Sequence, residues 1–166
     1  MIVKSKNRIE LYPLGRDKKL VYDALSNNPD VVNLVLGEKN TTETFKSRFS
    51  NTLFVDTTQL VAKTYITMDT EVVSAENTKI KCIAITIDIF TDLSLIQLTG
   101  SEQSKYYTIG YYGNRIDCLL DAVKRAITDL DIGIGETTLA PRNPIRVIQP
   151  TNKHYGKRMI LYTYDF

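Results

Sequence analysis

Between residues 114 and 130 the sequence NRIDCLLDAVKRAITDL places Ile116, Leu119, Leu120, Val123, Ile127 and Leu130 at intervals of three and four. That spacing predicts an amphipathic helix with one continuous apolar face. Ala122 and Ala126 widen the face, while Asp121, Lys124, Arg125, Thr128 and Asp129 take the other side. Asn114 stands where an N-cap belongs, Asp117 follows three places later as in a capping box, and Gly133 lies where a left-handed stop is easy. A helix of this kind needs a surface to cover. Residues 79–91, KIKCIAITIDIFT, supply it: Ile83, Ile85, Ile87 and Ile89 point one way, and Cys82, Ala84, Thr86 and Asp88 the other, which is the period of a strand. We expect Ile116, Leu120, Val123 and Ile127 to pack on those four isoleucines.

Other elements gather around this pair. Residues 1–14 read as an arm or short strand. Residues 16–27 carry Leu20, Val21, Ala24 and Leu25 on one helical face. The run Asn27-Asn28-Pro29 stops that helix and starts a second, with Asn28 as cap, Pro29 at its first position and Gly37 at its end. Residues 38–51 read as a polar loop with two aromatic anchors, Phe45 and Phe49. Residues 52–56 and 61–73 are strand candidates, and SAENT at 74–78 is the turn that joins the second of these to residues 79–91 in a long hairpin. Residues 92–113 read as irregular, with Tyr106, Tyr107, Tyr111 and Tyr112 clustered before the helix. Residues 131–144 read as loop, 145–149 as a short strand and 155–166 as the final strand. The expectation is one α+β domain over 1–166, with a mainly antiparallel sheet, a long hairpin and helices packed on one face.

Composition narrows the function classes. With 43% apolar residues the chain has enough material for a core, and its formal charge of +2 makes no electrostatic case for wrapping nucleic acid. No apolar run reaches the length of a membrane span, and the charges scattered through MIVKSKNRIELYP predict no secretory signal. Cys82 and Cys118 each sit in an apolar segment and read as reduced core cysteines. His154, the one histidine of the chain, has no second ligand for zinc and no nucleophile partner, so it reads as a turn residue entering the last strand. Asp69, Glu71, Glu76 and Asp88 lie on the hairpin with Lys79 and Lys81 nearby, but the acid-spacer-lysine spacing of a restriction-type nuclease fails at Asn77 and Lys79. Gly133 and Gly135 follow a helix, not a strand, and belong to no phosphate loop. These residues give no catalytic, metal or cofactor site, and the expectation is a protein that is not an enzyme. The alternatives left open are a small metal-dependent nuclease and a nucleic-acid-binding module.

The order of elements, helix pair, variable loop, long hairpin, amphipathic helix, loop and final strand, resembles the tail terminator and tail-completion proteins of tailed bacteriophages. The stretches that carry the likeness are LVYDALSNNPDVVNLVLG, TKIKCIAITIDIFT, YGNRIDCLLDAVKRAI and YGKRMILYTYDF. The inserts at 92–112 and 131–150 depart from the shortest members, which leaves open a neighbouring neck component such as a head-completion or connector protein. The resemblance implies a structural virion protein of the phage neck, made in the bacterial host cytoplasm. It implies a homo-hexameric ring that caps the tail tube, stops its growth and joins it to the head connector, with DNA passing through the middle. It implies no cofactor and no membrane partner.

Two groups of residues are candidates for such contacts. Phe45 and Phe49, exposed in a polar loop, together with Tyr106 and Tyr107, would form an assembly interface, since aromatic residues suit interface cores. Arg142, Arg146, Lys153, Lys157 and Arg158 would form a basic interface or the wall of a DNA channel, acting on phosphates without base specificity. The loops at 41–50 and 101–105 are expected to be mobile in an isolated subunit.

Overall fold

The computed structural model describes residues 14–37, 42–76, 79–129 and 131–164. The expected arm thus lies, except for Leu14, outside the described residues, as do Leu130 and residues 77–78 of the hairpin turn. Helix α1 (Leu14–Ser26) buries Val21 and Leu25. Helix α2 (Pro29–Leu36) opens as its sequence requires: the Asn28 side-chain oxygen accepts from the N–H groups of Asp30 at 3.0 Å and Val31 at 3.1 Å. Gly37, at φ 84, closes it by donating its N–H to the Asn33 carbonyl.

A turn of 3-10 helix at Phe45–Arg48 leads into β1 (Phe49–Ser50). The sheet is completed by β2 (Thr64–Glu76), β3 (Lys79–Asp92), β4 (Glu136–Leu139), β5 (Ile145–Ile148) and β6 (His154–Tyr164). The order is β1-β2-β3-β6-β4, with β5 also on β6. All pairings are antiparallel except β1 with β2. The fold is α+β, as expected. Strands β4 and β5 lie one after the other along the same side of β6, β4 on its C-terminal half and β5 on its N-terminal half. Ala140 N–H bonds to the Ile160 carbonyl and Ile160 N–H to the Pro144 carbonyl, which carries the edge across the gap between the two short strands.

Helix α4 (Arg115–Thr128) covers β3 and β6. Its Ile116, Leu120, Val123 and Ile127 share one apolar core with Ile85, Ile87 and Ile89, as the spacing predicts. Ile83 is buried at the end of the row, outside that cluster. The capping box at Asn114 and Asp117 forms in full. The helix stops at Asp129, so Gly133 is not its C-terminal stop. Helices α1 and α2 pack beside α4 and on β2, and all three contribute to the core on the isoleucine side. The sheet's other face is buried along β3 as well: Cys82, Ala84, Asp88 and Phe90 all have little exposed surface. There Phe90 stacks on Tyr65 at 5.4 Å and meets His154 edge-on at 6.1 Å.

Further expectations are corrected. Residues 92–113 are not irregular: they hold a 3-10 turn at Leu93–Leu95 and helix α3 (Gly100–Thr108), capped by a full Thr99–Glu102 capping box. Residues 101–105, expected to be a mobile loop, are therefore helical. Residues 52–56 form no strand; the Thr52 and Phe54 N–H groups donate to the Ser50 and Thr52 hydroxyls, which competes with any ladder there. Residues 131–144 contain β4, and residues 74–76 belong to β2, with a bulge between Val72 and Ala75, where the sequence suggests a turn. Among the described residues no helix is long and apolar enough to cross a membrane.

Candidate functional site

Phe45 and Phe49 are not exposed aromatics. Phe45 is 7% exposed and Phe49 is half-buried. Both rings meet Tyr22 of α1, at 5.9 and 5.0 Å, and stack on each other at 5.9 Å. This triad anchors the segment from Phe45 to Phe49 on the core. The loop is held further by Glu43, whose carboxylate takes bonds from Lys63 and Arg48. Those bonds, Lys63 first, hold the Glu43 carboxyl below the usual carboxylate range.

Tyr106 is fully buried, in contact with Tyr111 at 6.2 Å. Tyr107 is half-buried beside the exposed Tyr112 and donates from its hydroxyl to the Gly113 carbonyl. Of the four expected interface aromatics, Phe49 and Tyr107 thus reach the surface only in part, and Phe45 and Tyr106 belong to the core. The most exposed aromatic among the described residues is Phe54, 80% exposed, in the loop between β1 and β2.

The five basic residues are not one patch. Consecutive residues of a strand face opposite sides, and β6 divides Lys157 from Arg158. Lys157 lies on the helix side and donates to Asp117 at 2.6 Å, a bond that raises its pKa. Arg158 lies on the other side and grips Asp88 with two bonds of 2.6 Å, which raise its pKa in turn. Both cations are committed to carboxylates of the same chain. Arg142, Arg146 and Lys153 are exposed and make no ion pair among the described residues.

Two of the four carboxylates considered for a nuclease are likewise spoken for. Asp88 accepts both Arg158 bonds, and Asp69 is bridged to Lys18 of α1 at 2.5 Å. For Asp69, burial works against the charge, but the Lys18 and Thr70 bonds outweigh it and its pKa is lowered. Among the described residues no group of three or more His, Cys, Asp or Glu side chains is placed to hold a metal ion. His154 is a buried structural residue: its Nε2 donates to the Val61 carbonyl at 3.2 Å, and its Nδ1 lies within hydrogen-bond distance of the Thr151 hydroxyl at 2.7 Å. Cys82 and Cys118 are free and buried. Burial, with Asp117 and Asp121 adding to it, pushes the Cys118 thiol up to about 11.

The features open to other molecules are the ends of the sheet. On one side β1 covers only Ile66 and Thr67, so β2 beyond Thr67 has no outer strand among the described residues. From Glu71 to Ala75 it is exposed, with Val72 at 42% and Val73 at 44%. On the opposite side β5 is the outermost strand, with Ile145 at 41% and Val147 at 61% exposed.

Among the described residues these features define a one-sheet α+β protein with its helices on one face and apolar, unpaired strand edges at both ends. The YomW family model matches residues 18–163, and the chain belongs to that family, which is phage-derived. No match was found among curated proteins or solved structures.

Proposed function

We propose that the protein is a structural component of the phage neck, a ring-forming tail terminator that caps the tail tube and joins it to the head connector. The observation that carries this reading is the pair of sheet ends left without an outer strand among the described residues. Exposed strand edges are normally blunted by charge, proline or a covering element, because they pair with other chains. Here both ends keep apolar side chains in the open, which suits a subunit that meets a neighbour on each side. Two different surfaces meeting head to tail generate a ring when the rotation closes. The phage-derived family and the helix pair, hairpin and packing-helix order support the same reading. DNA in the channel would meet the exposed Arg142 and Lys153 through phosphates.

The test is a phage lacking this gene together with the purified protein. The expected outcome is tails of uncontrolled length that fail to join heads, and a protein whose mass by light scattering rises to a closed multiple of the subunit. Tails of normal length without heads would move the assignment to a connector or head-completion role. Normal virions, with a protein that stays monomeric at high concentration, would overturn the neck reading.

A further inference from the structure

We infer that the subunits join edge to edge, strand β5 of one copy pairing antiparallel with strand β2 of the next, in the register that sets Arg146 opposite Glu71. This rests on the ring reading above and specifies its contact.

The direction follows from the topology. Strands β2, β3, β6 and β5 alternate in direction across the sheet, so β2 and β5, at opposite ends, run antiparallel. A neighbour related by rotation about an axis along the strands keeps those directions. Its β2 then approaches β5 antiparallel, continues the sheet and keeps both helix layers on one side.

The register follows from the side chains. On the helix side of the sheet lie Thr70 and Val72 of β2, in register with Ile85 and Ile83, and Ile145 and Val147 of β5, in register with Met159 and Lys157. On the other side lie Glu71, opposite Ala84, and Arg146, opposite Arg158. Placing Arg146 against Glu71 puts Ile145 against Val72 and Val147 against Thr70. One register therefore matches opposite charges on one face and covers exposed apolar side chains on the other, the two kinds of cross-strand pair that stabilise a sheet. Glu71 and Arg146 are both exposed and in no ion pair among the described residues, so neither must abandon a partner. The like charge beside Arg146, on Arg158, is already balanced by Asp88. A shift of one residue would send each side chain to the wrong face.

The experiment combines charge exchange and cross-linking in the full chain. Arg146→Glu and Glu71→Arg are each expected to weaken ring formation roughly tenfold or more, since like charges then face each other. The double variant is expected to restore it. Both positions are exposed, and each variant should melt with the wild type. In parallel, Ile145→Cys combined with Val72→Cys should give a ladder of disulfide-linked subunits on mild oxidation, because directly opposed strand residues lie within disulfide reach. Ile145→Cys combined with Glu71→Cys, on opposite faces, should not. Rings that persist in both single variants and yield no ladder would overturn this pairing and leave the ring reading standing. Single variants that lose the ring without rescue in the double, and without a ladder, would overturn it equally. A wild-type chain that stays monomeric in solution and on isolated tails would overturn both.

Discussion

Arg115 and Glu102 form a two-pronged ion pair, Nη1 to Oε1 at 2.9 Å and Nη2 to Oε2 at 2.8 Å, between the first turns of α4 and α3. The remaining Arg115 donors reach the Leu95 carbonyl at 2.8 Å and the Leu34 carbonyl at 3.3 Å. Glu102 also accepts from the Thr99 N–H. One guanidinium thus ties together α2, the turn at Leu93–Leu95, α3 and α4. Both side chains are buried, so each depends on the other.

Glu102→Gln should therefore destabilise the protein by about 3 kcal/mol, because it leaves the Arg115 charge buried with only carbonyl partners. Burial opposes the Glu102 charge, but the Arg115 bonds prevail and its pKa is lowered. A lowered carboxyl contributes stability in full above its unfolded value, about 4.3, and loses it as pH falls through the lower folded value. Chemical denaturation at neutral pH and at about pH 3 should show the gap between variant and wild type shrinking in acid. An equal gap at both would show that the charge is not what matters.

Phe45→Ala should cost about 3 kcal/mol or more, as for a buried aromatic. Phe49→Ala, half-buried, should cost less, and Phe54→Ala should stay within about 0.5 kcal/mol of wild type. Melting curves of the three variants rank them. Equal effects at Phe45 and Phe54 would contradict the Tyr22–Phe45–Phe49 anchor.

Gly156 sits in β6 opposite Phe90 and Ile148. A Cβ there would lie 2.7 Å from Phe90 Cα and closer still to the Ile89 carbonyl, both backbone. Gly156→Ala should cost about 1–3 kcal/mol by overpacking. Gly100→Ala, with open space around the added carbon, should be neutral or gain about 0.5 kcal/mol. Urea midpoints for the pair test the contrast.

Cys118 should resist alkylation in the native protein, since it is fully buried and its thiol is raised to about 11. Mass spectrometry after brief labelling at neutral pH should find it unmodified until denaturant is added. Rapid native labelling would mean that α4 opens readily.

Elements with a strong local period are legible in the amino-acid sequence. The α4 stripe, the isoleucine row of β3, the alternation in β6 and the Asn28–Pro29 start each carry their signal in neighbouring residues. The elements that the sequence hides depend on partners far along the chain. Helix α3 buries little beyond Glu102 and Tyr106, so it shows no apolar stripe. Its capping box, Thr99 to Glu102, is the signal the sequence does hold. The short strand β4 has no pattern of its own and exists because β6 offers it an edge. Phe45 and Phe49 read as exposed because Tyr22, which covers them, lies in another helix. The basic cluster dissolves for a simpler reason: residues adjacent in sequence, such as Lys157 and Arg158, part company once the segment is a strand.

Strand β6 is bordered by β3 on one side and by β4 and β5 on the other, yet it follows all three in the chain. During synthesis, β3, β4 and β5 must wait for a partner that the ribosome has not yet made. The isoleucine row of β3 has only β2 and the helices to shelter it until residues 154–164 emerge. Closure of the sheet is therefore a late, long-range event, of the kind that slows folding and leaves strand edges open in the interval. A subunit that relies on such edges for assembly faces a matter of timing: nascent copies crowded on one message could pair β2 or β3 with each other before β6 arrives.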